Sequence, residues 1–137
     1  MYGYVKVGSA VPKLRVADCV YNKEEILKLV EAAAAKQVRV LSFPELSVTG
    51  YTCADLFFQT PLLHAAEQAI QEIAEATKAL NIFLLIGAPI AVDNQMFNCA
   101  VALYKGKLLG IVPKTHIPNY SEFYEERWFA SADDLLT

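Results

Sequence analysis

The amino-acid sequence predicts a layered α/β fold, in which a mixed β-sheet carries its helices on one face. Two observations lead to this prediction. Short apolar stretches rich in β-branched residues alternate with two segments of helical periodicity, and the last three apolar stretches are separated only by short polar turns. The resulting order, β-α-β-α-β-β-β, combines strands joined through helices with strands joined by hairpins.

The first half of the chain contains two predicted strand–helix units. Residues 4–11 alternate loosely and form the first strand. Asn22 is predicted to cap a helix over residues 23–36, because the segment that it opens resembles a capping box. Residues 38–43 then form a short buried strand that ends before Pro44.

The second half begins with the clearest amphipathic helix in the sequence. Thr60 is predicted to cap this helix, with Pro61 at its first position. One face is lined by apolar residues at positions 62, 66, 69, 73 and 80. Three strands follow, over residues 82–87, 96–104 and 108–113, joined by turns at 93–95 and 105–107.

The overall composition excludes several classes of protein. Of the 137 residues, 55% are hydrophobic and 20% charged, so the chain folds around a core and is not intrinsically disordered. The net charge of −3 and the absence of a basic cluster argue against nucleic-acid binding. The longest apolar run, residues 82–92, is too short to span a membrane. The amino terminus lacks a signal-peptide pattern, so we expect a cytoplasmic protein.

Two charged residues lie where predicted strands end, each directly after a proline. Glu45 follows Pro44, and Lys114 follows Pro113. Strand ends in α/β sheets converge on a crevice, where a carboxylate and an ammonium can act as general base and oxyanion stabiliser in acyl transfer. Such a pair still needs a nucleophile. From spacing alone, an unrelated surface acid and surface lysine are the more common situation.

The three cysteines, Cys19, Cys53 and Cys99, are widely spaced and form no CxxC pair. This pattern argues against a disulfide framework and against a structural zinc site, and two histidines are too few for a metal centre. We therefore expect no metal. Cys53 lies close to Glu45 in sequence, but we expect it to have a packing role rather than a nucleophilic one.

Three stretches resemble the nitrilase, or carbon–nitrogen hydrolase, superfamily, namely FPELSVTGY (43–51), GYTCADLF (50–57) and PKTHIPNYSEFYEERWF (113–129). More narrowly, they resemble the amino-terminal glutaminase domains of glutamine-dependent NAD synthetases, and this resemblance runs along the whole chain. It implies a nitrilase-like αββα sandwich, of which residues 1–137 supply only the amino-terminal part. It also implies a Glu-Lys-Cys catalytic triad.

The resemblance assigns roles to individual residues. Glu45 corresponds to the general base, and Lys114 to the lysine that stabilises the tetrahedral intermediate. Glu122 corresponds to a second glutamate that orients the lysine and the substrate, the alternative being a carboxylate paired with Arg127. The residues that correspond to the walls of a glutamine pocket are Tyr51, Tyr120 and Phe123.

The resemblance also implies an activity. In this family a cysteine thioester converts glutamine to glutamate and ammonia, and the ammonia serves the ATP-dependent amidation of nicotinic acid adenine dinucleotide to NAD. The hydrolase step needs no cofactor, whereas ATP and magnesium belong to the synthetase part. The expected partners are glutamine, a synthetase domain of the same chain, and further copies in a homo-oligomer.

One feature departs from the family pattern, because no cysteine follows Lys114. The family's nucleophile lies well beyond the lysine. We therefore expect residues 1–137 to be a partial glutaminase domain, without the rest of that domain or a synthetase domain, and to be inactive alone. Two alternatives stay open: a stand-alone carbon–nitrogen hydrolase for a small amide or nitrile, and a catalytically dead interaction domain.

Overall fold

The computed structural model describes residues 3–135, which form one mixed sheet and two α-helices. The strands are β1 Val7–Ser9, β2 Val40–Ser42, β3 Phe83–Val92, β4 Gln95–Tyr104 and β5 Lys107–Pro113, and the helices are α1 Cys19–Ala35 and α2 Thr60–Ala76. The strands lie side by side in chain order. The first three are parallel, and the last three are antiparallel hairpin neighbours. The predicted order of elements and the mixed sheet are confirmed.

The first two strands are shorter than predicted, and the third is longer. The predicted strands 4–11 and 38–43 shrink to three residues each. Single backbone bonds outside β2 extend its contacts, such as the one from the Phe43 amide to the Leu85 carbonyl at 2.9 Å. By contrast, β3 pairs with β4 along its whole length, from Phe83 to Val92, so it continues past the predicted end at residue 87.

The cap of α1 was predicted at the wrong residue. The side chain of Asp18 caps the helix by accepting a hydrogen bond from the Tyr21 amide at 3.0 Å. Asn22 lies inside the helix and is fully buried. Its side-chain amide donates to the carbonyls of Arg15 (2.9 Å) and Val48 (3.0 Å). Asn22 therefore joins α1 to the loops that contain Arg15 and Val48, and it does not act as the cap.

Helix α2 also begins one residue before its predicted start. Gln59 precedes the first helical residue, Thr60, and makes no side-chain cap. The predicted apolar face is confirmed at Leu62, Ala66, Ala69 and Ile73, which are buried, whereas Leu80 lies beyond the end of the helix and is half-buried.

Both helices contribute to one core with the sheet, and they contact each other. Ile26 and Val30 of α1, Ile73 of α2 and Leu84 of β3 are almost completely buried. Burial of one such side chain stabilises the fold by about 2 kcal/mol. The outer strand β5 lies away from this core and exposes Val112. None of the helices within residues 3–135 is long and apolar enough to cross a membrane.

Candidate active site

The loop that carries Glu45 lies directly against the backbone of Gly87 in β3. A Cβ atom on Gly87 would come within 2.3 Å of the Leu46 amide nitrogen and 2.7 Å of the Pro44 carbonyl oxygen. The Val48 amide donates to the Gly87 carbonyl at 3.1 Å, which holds the loop at this distance. Glycine is therefore required at this position, because any side chain would displace the loop.

The residues that follow Glu45 form a buried and rigid support. Leu46, Ser47, Val48 and Thr49 have no exposed surface. Leu46 has a left-handed backbone, with a φ angle of 54°, a strained conformation for a residue with a branched side chain. The surrounding hydrogen bonds and burial hold this conformation, so the base candidate projects from a fixed backbone.

Lys114 reaches Glu45 from the end of β5. Its backbone amide donates to the Asn98 carbonyl at 2.8 Å, which continues the β4–β5 ladder past Pro113. Its ammonium nitrogen lies 2.7 Å from Glu45 Oε1. The structure thus brings together the two residues that the sequence placed at strand ends.

A second carboxylate contacts Lys114, and it belongs to Glu125. Its Oε1 and Oε2 atoms lie 3.2 and 3.3 Å from Lys114 Nζ. Glu125 is only 2% exposed and opens the short 3-10 helix Glu125–Arg127. Its backbone amide donates to the Pro118 carbonyl at 3.2 Å. A carboxylate this buried needs a cationic partner, and Lys114 supplies one.

Asn98 on β4 joins the two carboxylates. Its side-chain nitrogen donates to Glu45 Oε1 and, at 3.2 Å, to Glu125 Oε1. Asn98 is 3% exposed. Sequence reasoning missed this residue, although a single amide inside the apolar strand QMFNCAVALY is a signal that could have revealed it, because buried amides need partners. Glu45, Asn98, Lys114 and Glu125 are called the Lys114 cluster below.

The cluster fixes the charges of its members. Burial raises the pKa of Glu45, but the Lys114 ammonium and the Asn98 amide outweigh it, and the pKa ends below its ordinary value. Burial lowers the pKa of Lys114, but its bonds to Glu45 and Glu125 raise it above its ordinary value. Glu45 is therefore a carboxylate, and Lys114 an ammonium, throughout the neutral range.

The second predicted glutamate, Glu122, lies elsewhere. It is exposed, and the acid that the structure brings to Lys114 is Glu125, three residues further along. Arg127 does not pair with Glu122 either, since its guanidinium binds Asp55. Orientation of the lysine thus falls to Glu125, while a role of Glu122 in contacting substrate stays a prediction.

The three predicted pocket residues lie at the surface around the cluster. Tyr51 is 38% exposed. Burial of its phenol, followed by the nearby charge of Glu125, raises the pKa of Tyr51 to about 12. Tyr120 is exposed, and its ring packs edge-on against Phe123 with the ring centres 5.8 Å apart. These positions are compatible with pocket walls, and their contact with a substrate stays a prediction.

None of the cysteines is an activated thiol. All three are buried. Burial raises the pKa of Cys19 and of Cys99 to about 11, and it also raises that of Cys53. The Cys53 thiol donates to the Thr49 carbonyl at 3.3 Å, in agreement with a packing role. Cys99 lines a cavity of about 330 Å³ together with Glu45 and Lys114, but its thiol is protonated at neutral pH.

A second charged network lies at the surface beside the cluster. Asp55 accepts two hydrogen bonds from Arg127, at 2.7 and 2.8 Å, and a third from the Trp128 indole at 3.0 Å. These contacts, called the Asp55 clamp below, join the short helix Ala54–Phe58 to the segment that carries Glu125. Within residues 3–135, no group of three or more histidine, cysteine or acidic side chains is arranged to hold a metal ion.

Comparison with known proteins shows the family of this chain. The family described as carbon-nitrogen hydrolase matches residues 6–136. The chain belongs to the carbon–nitrogen hydrolase family. It is 36% identical over 132 residues to a glutamine-dependent NAD(+) synthetase of Mycobacterium leprae, which covers 96% of this chain but only 19% of that protein. The predicted resemblance to glutamine-dependent NAD synthetases is thereby confirmed, and the chain spans about a fifth of such a relative.

Solved structures confirm the predicted nitrilase-like fold. A glutamine-dependent NAD(+) synthetase from Cytophaga hutchinsonii superposes with a TM-score of 0.88 at 30% identity, over 93% of this chain and 22% of that one. An amidase from Nesterenkonia sp. superposes with a TM-score of 0.74 at 21% identity, over 90% of this chain and 47% of the amidase. The second likeness concerns the fold alone.

Proposed function

We propose that this chain supplies the base and the lysine of a site that hydrolyses glutamine to glutamate and ammonia. The observation that carries this proposal is the contact of 2.7 Å between Glu45 Oε1 and Lys114 Nζ, two residues far apart in sequence. The substrate is inferred from the relatives, which are glutamine-dependent NAD synthetases at 30–36% identity.

The charges of the cluster suit hydrolysis through a cysteine thioester. Glu45 accepts the proton of an attacking thiol, and the tetrahedral oxyanion forms next to the Lys114 ammonium. Glu45 then gives this proton to the leaving nitrogen, and ammonia departs. Glu45 next removes a proton from water, which attacks the thioester and releases glutamate and the thiol. Lys114 keeps its proton throughout because its pKa is raised.

The nucleophile in this scheme is a cysteine outside residues 1–137. Cys19, Cys53 and Cys99 are buried and protonated, so none of them suits the role. Glu125 takes the place of the second glutamate, because its buried carboxylate contacts Lys114. On this proposal the 137-residue chain alone does not hydrolyse glutamine.

The wider activity that we propose follows the relatives. The ammonia would serve the ATP-dependent amidation of nicotinic acid adenine dinucleotide to NAD by a synthetase domain of the same chain, in a cytoplasmic homo-oligomer. ATP and magnesium would act in that domain. Glu45 and Glu125 do not suit a magnesium ion, since the Lys114 ammonium and the Asn98 amide already bind the Oε1 atom of each.

Ammonia release from glutamine by the complete gene product tests the proposal. The Glu45→Gln variant is expected to lose activity by about 10²-fold or more, because the base is gone. Cys99→Ser serves as the control and is expected to keep its rate, since Cys99 is not the nucleophile. A Glu45→Gln enzyme with full glutaminase activity would overturn the proposal. Turnover of small amides or nitriles without turnover of glutamine would favour a stand-alone hydrolase. No turnover of any of these substrates would favour an interaction domain.

A further inference from the structure

We propose that Asn98 is a positioning residue that joins two glutamates around one lysine and keeps Glu45 ionised, so that Glu45 stays available as a base. The catalytic part of this inference rests on the proposed function, whereas its electrostatic part concerns the chain alone.

The geometry that carries the inference is a closed ring of four hydrogen bonds. Asn98 Nδ2 donates to Oε1 of Glu45 and to Oε1 of Glu125. Lys114 Nζ donates to the same two oxygen atoms, at 2.7 and 3.2 Å. Each of these oxygens therefore accepts one N–H from the amide and one from the ammonium. An amide nitrogen has two N–H groups and accepts no hydrogen bond, so Asn98 favours the ionised form of Glu45.

The backbone holds this amide in place. Asn98 lies opposite Pro89 in the β3–β4 ladder, and its carbonyl accepts the Lys114 backbone amide at 2.8 Å. Asn98 thus holds the backbone of Lys114 through its carbonyl and joins the two acids through its side chain. With only 3% of its surface exposed, the Asn98 side chain cannot turn out to bind solvent instead of the two acids.

The charge balance explains why an amide is suited to this position. Two carboxylates and one ammonium leave one uncompensated negative charge, and like charges this close favour uptake of a proton by one of the acids. A neutral donor opposes that uptake without adding charge. An aspartate in its place would add a third carboxylate, and a lysine would bind Glu45 too tightly for a base.

All charged groups that surround Glu45 enter this balance. Lys114 and Glu125 contact each other within the cluster, and Tyr51 lies beside the two acids. Burial raises the pKa of Glu45, and the Lys114 ammonium and the Asn98 amide act against it. Loss of the Asn98 amide therefore shifts the balance toward the protonated acid.

Carboxyl ¹³C NMR titration of the 137-residue chain tests the electrostatic part. The Glu45 signal is assigned by its loss in Glu45→Gln. In Asn98→Leu the apparent pKa of Glu45 is expected to rise by about one unit, and in the isosteric Asn98→Asp by more. The control Asn81→Leu, which removes an exposed partner of Tyr104, leaves it unchanged. Because two Asn98 variants are compared, the test still works if one of them fails to fold. An unchanged Glu45 titration in either folded variant would overturn the inference.

The pH profile of glutamine hydrolysis by the complete gene product tests the catalytic part. In Asn98→Leu the acidic limb of kcat/KM is expected to move to higher pH by the same unit, with the rate recovering on the alkaline side. A purely structural role would instead lower the rate equally at every pH, and that result would overturn the positioning role. Absence of hydrolysis in the wild type would refute the proposed function, while the NMR titration would still decide the role of Asn98.

Discussion

The Lys114 cluster and the Asp55 clamp use the same kinds of charged group, and both engage the segment that begins at Glu125. Glu125 turns inward to Lys114, with only 3% of its side chain exposed. Two residues later, Arg127 turns outward to Asp55, with about 60% of each side chain exposed. One short 3-10 helix therefore presents one charge to the interior and another to solvent.

The difference shows that burial, rather than the number of ion pairs, decides what a charged network does. In the exposed clamp, water and salt screen the charges, so such a pair contributes little to folding and serves to align two segments. In the cluster, screening is weak and loss of one partner leaves a charge without compensation. Chemistry that depends on a defined protonation state is thus supported by the cluster.

The largest effect is expected from removing the cation of the cluster. Lys114→Met leaves the buried Glu125 without its cationic partner and is expected to lower the free energy of unfolding by about 3 kcal/mol. Urea denaturation at neutral pH measures this change. Lys78→Met removes an exposed lysine paired with Glu75 and is expected to leave the urea midpoint nearly unchanged. Equal urea midpoints for both variants would show that loss of the lysine costs the cluster no more stability than it costs a surface ion pair.

A smaller loss of stability is expected from a substitution that displaces the loop carrying Glu45. Gly87→Ala places a Cβ against the backbone of Leu46 and Pro44, and this is expected to cost about 2 kcal/mol because backbone atoms cannot move aside easily. Thermal or urea unfolding measures the loss. Gly110→Ala is the matched control, since a Cβ there meets no atom within 4 Å. Equal stability of the two alanine variants would contradict the requirement for glycine at position 87.

The smallest effect is expected from opening the clamp. Asp55→Asn removes the charge that binds Arg127 and weakens the acceptor of the Trp128 indole. Trp128 is the single tryptophan of the sequence, so intrinsic fluorescence reports on it alone. We expect a red-shifted emission and faster acrylamide quenching with little change in the urea midpoint. High salt should produce the same shift in the wild type, and a large loss of stability would contradict the comparison.

The parts of the site that could be predicted are those with a local signal. Glu45 and Lys114 stand directly after strands and prolines, and the motifs around them are distinctive. The order of helices and strands along the chain followed from periodicity and short turns. These features depend on neighbours in sequence, so they can be read without knowledge of the tertiary contacts.

The parts that could not be predicted depend on which side chain turns inward. Glu122 and Glu125 lie in one irregular segment with no periodicity, and tertiary contacts such as the hydrogen bond from the Glu125 amide to the Pro118 carbonyl set the inward direction. Asp18 and Asn22 are both good caps by residue type, and burial of Asn22 decides between them. Asn98 carried a signal, a polar residue in an apolar strand, but its partners come from distant segments.

The assignment of the second glutamate is tested most directly by comparing Glu125→Gln with Glu122→Gln. Both remove one carboxylate from the same segment and keep the shape of the side chain. The measurement is glutamine hydrolysis by the complete gene product at neutral pH. We predict that Glu125→Gln loses activity about as severely as Glu45→Gln and that Glu122→Gln loses far less. An enzyme inactivated by Glu122→Gln but active with Glu125→Gln would contradict the site described by the structure.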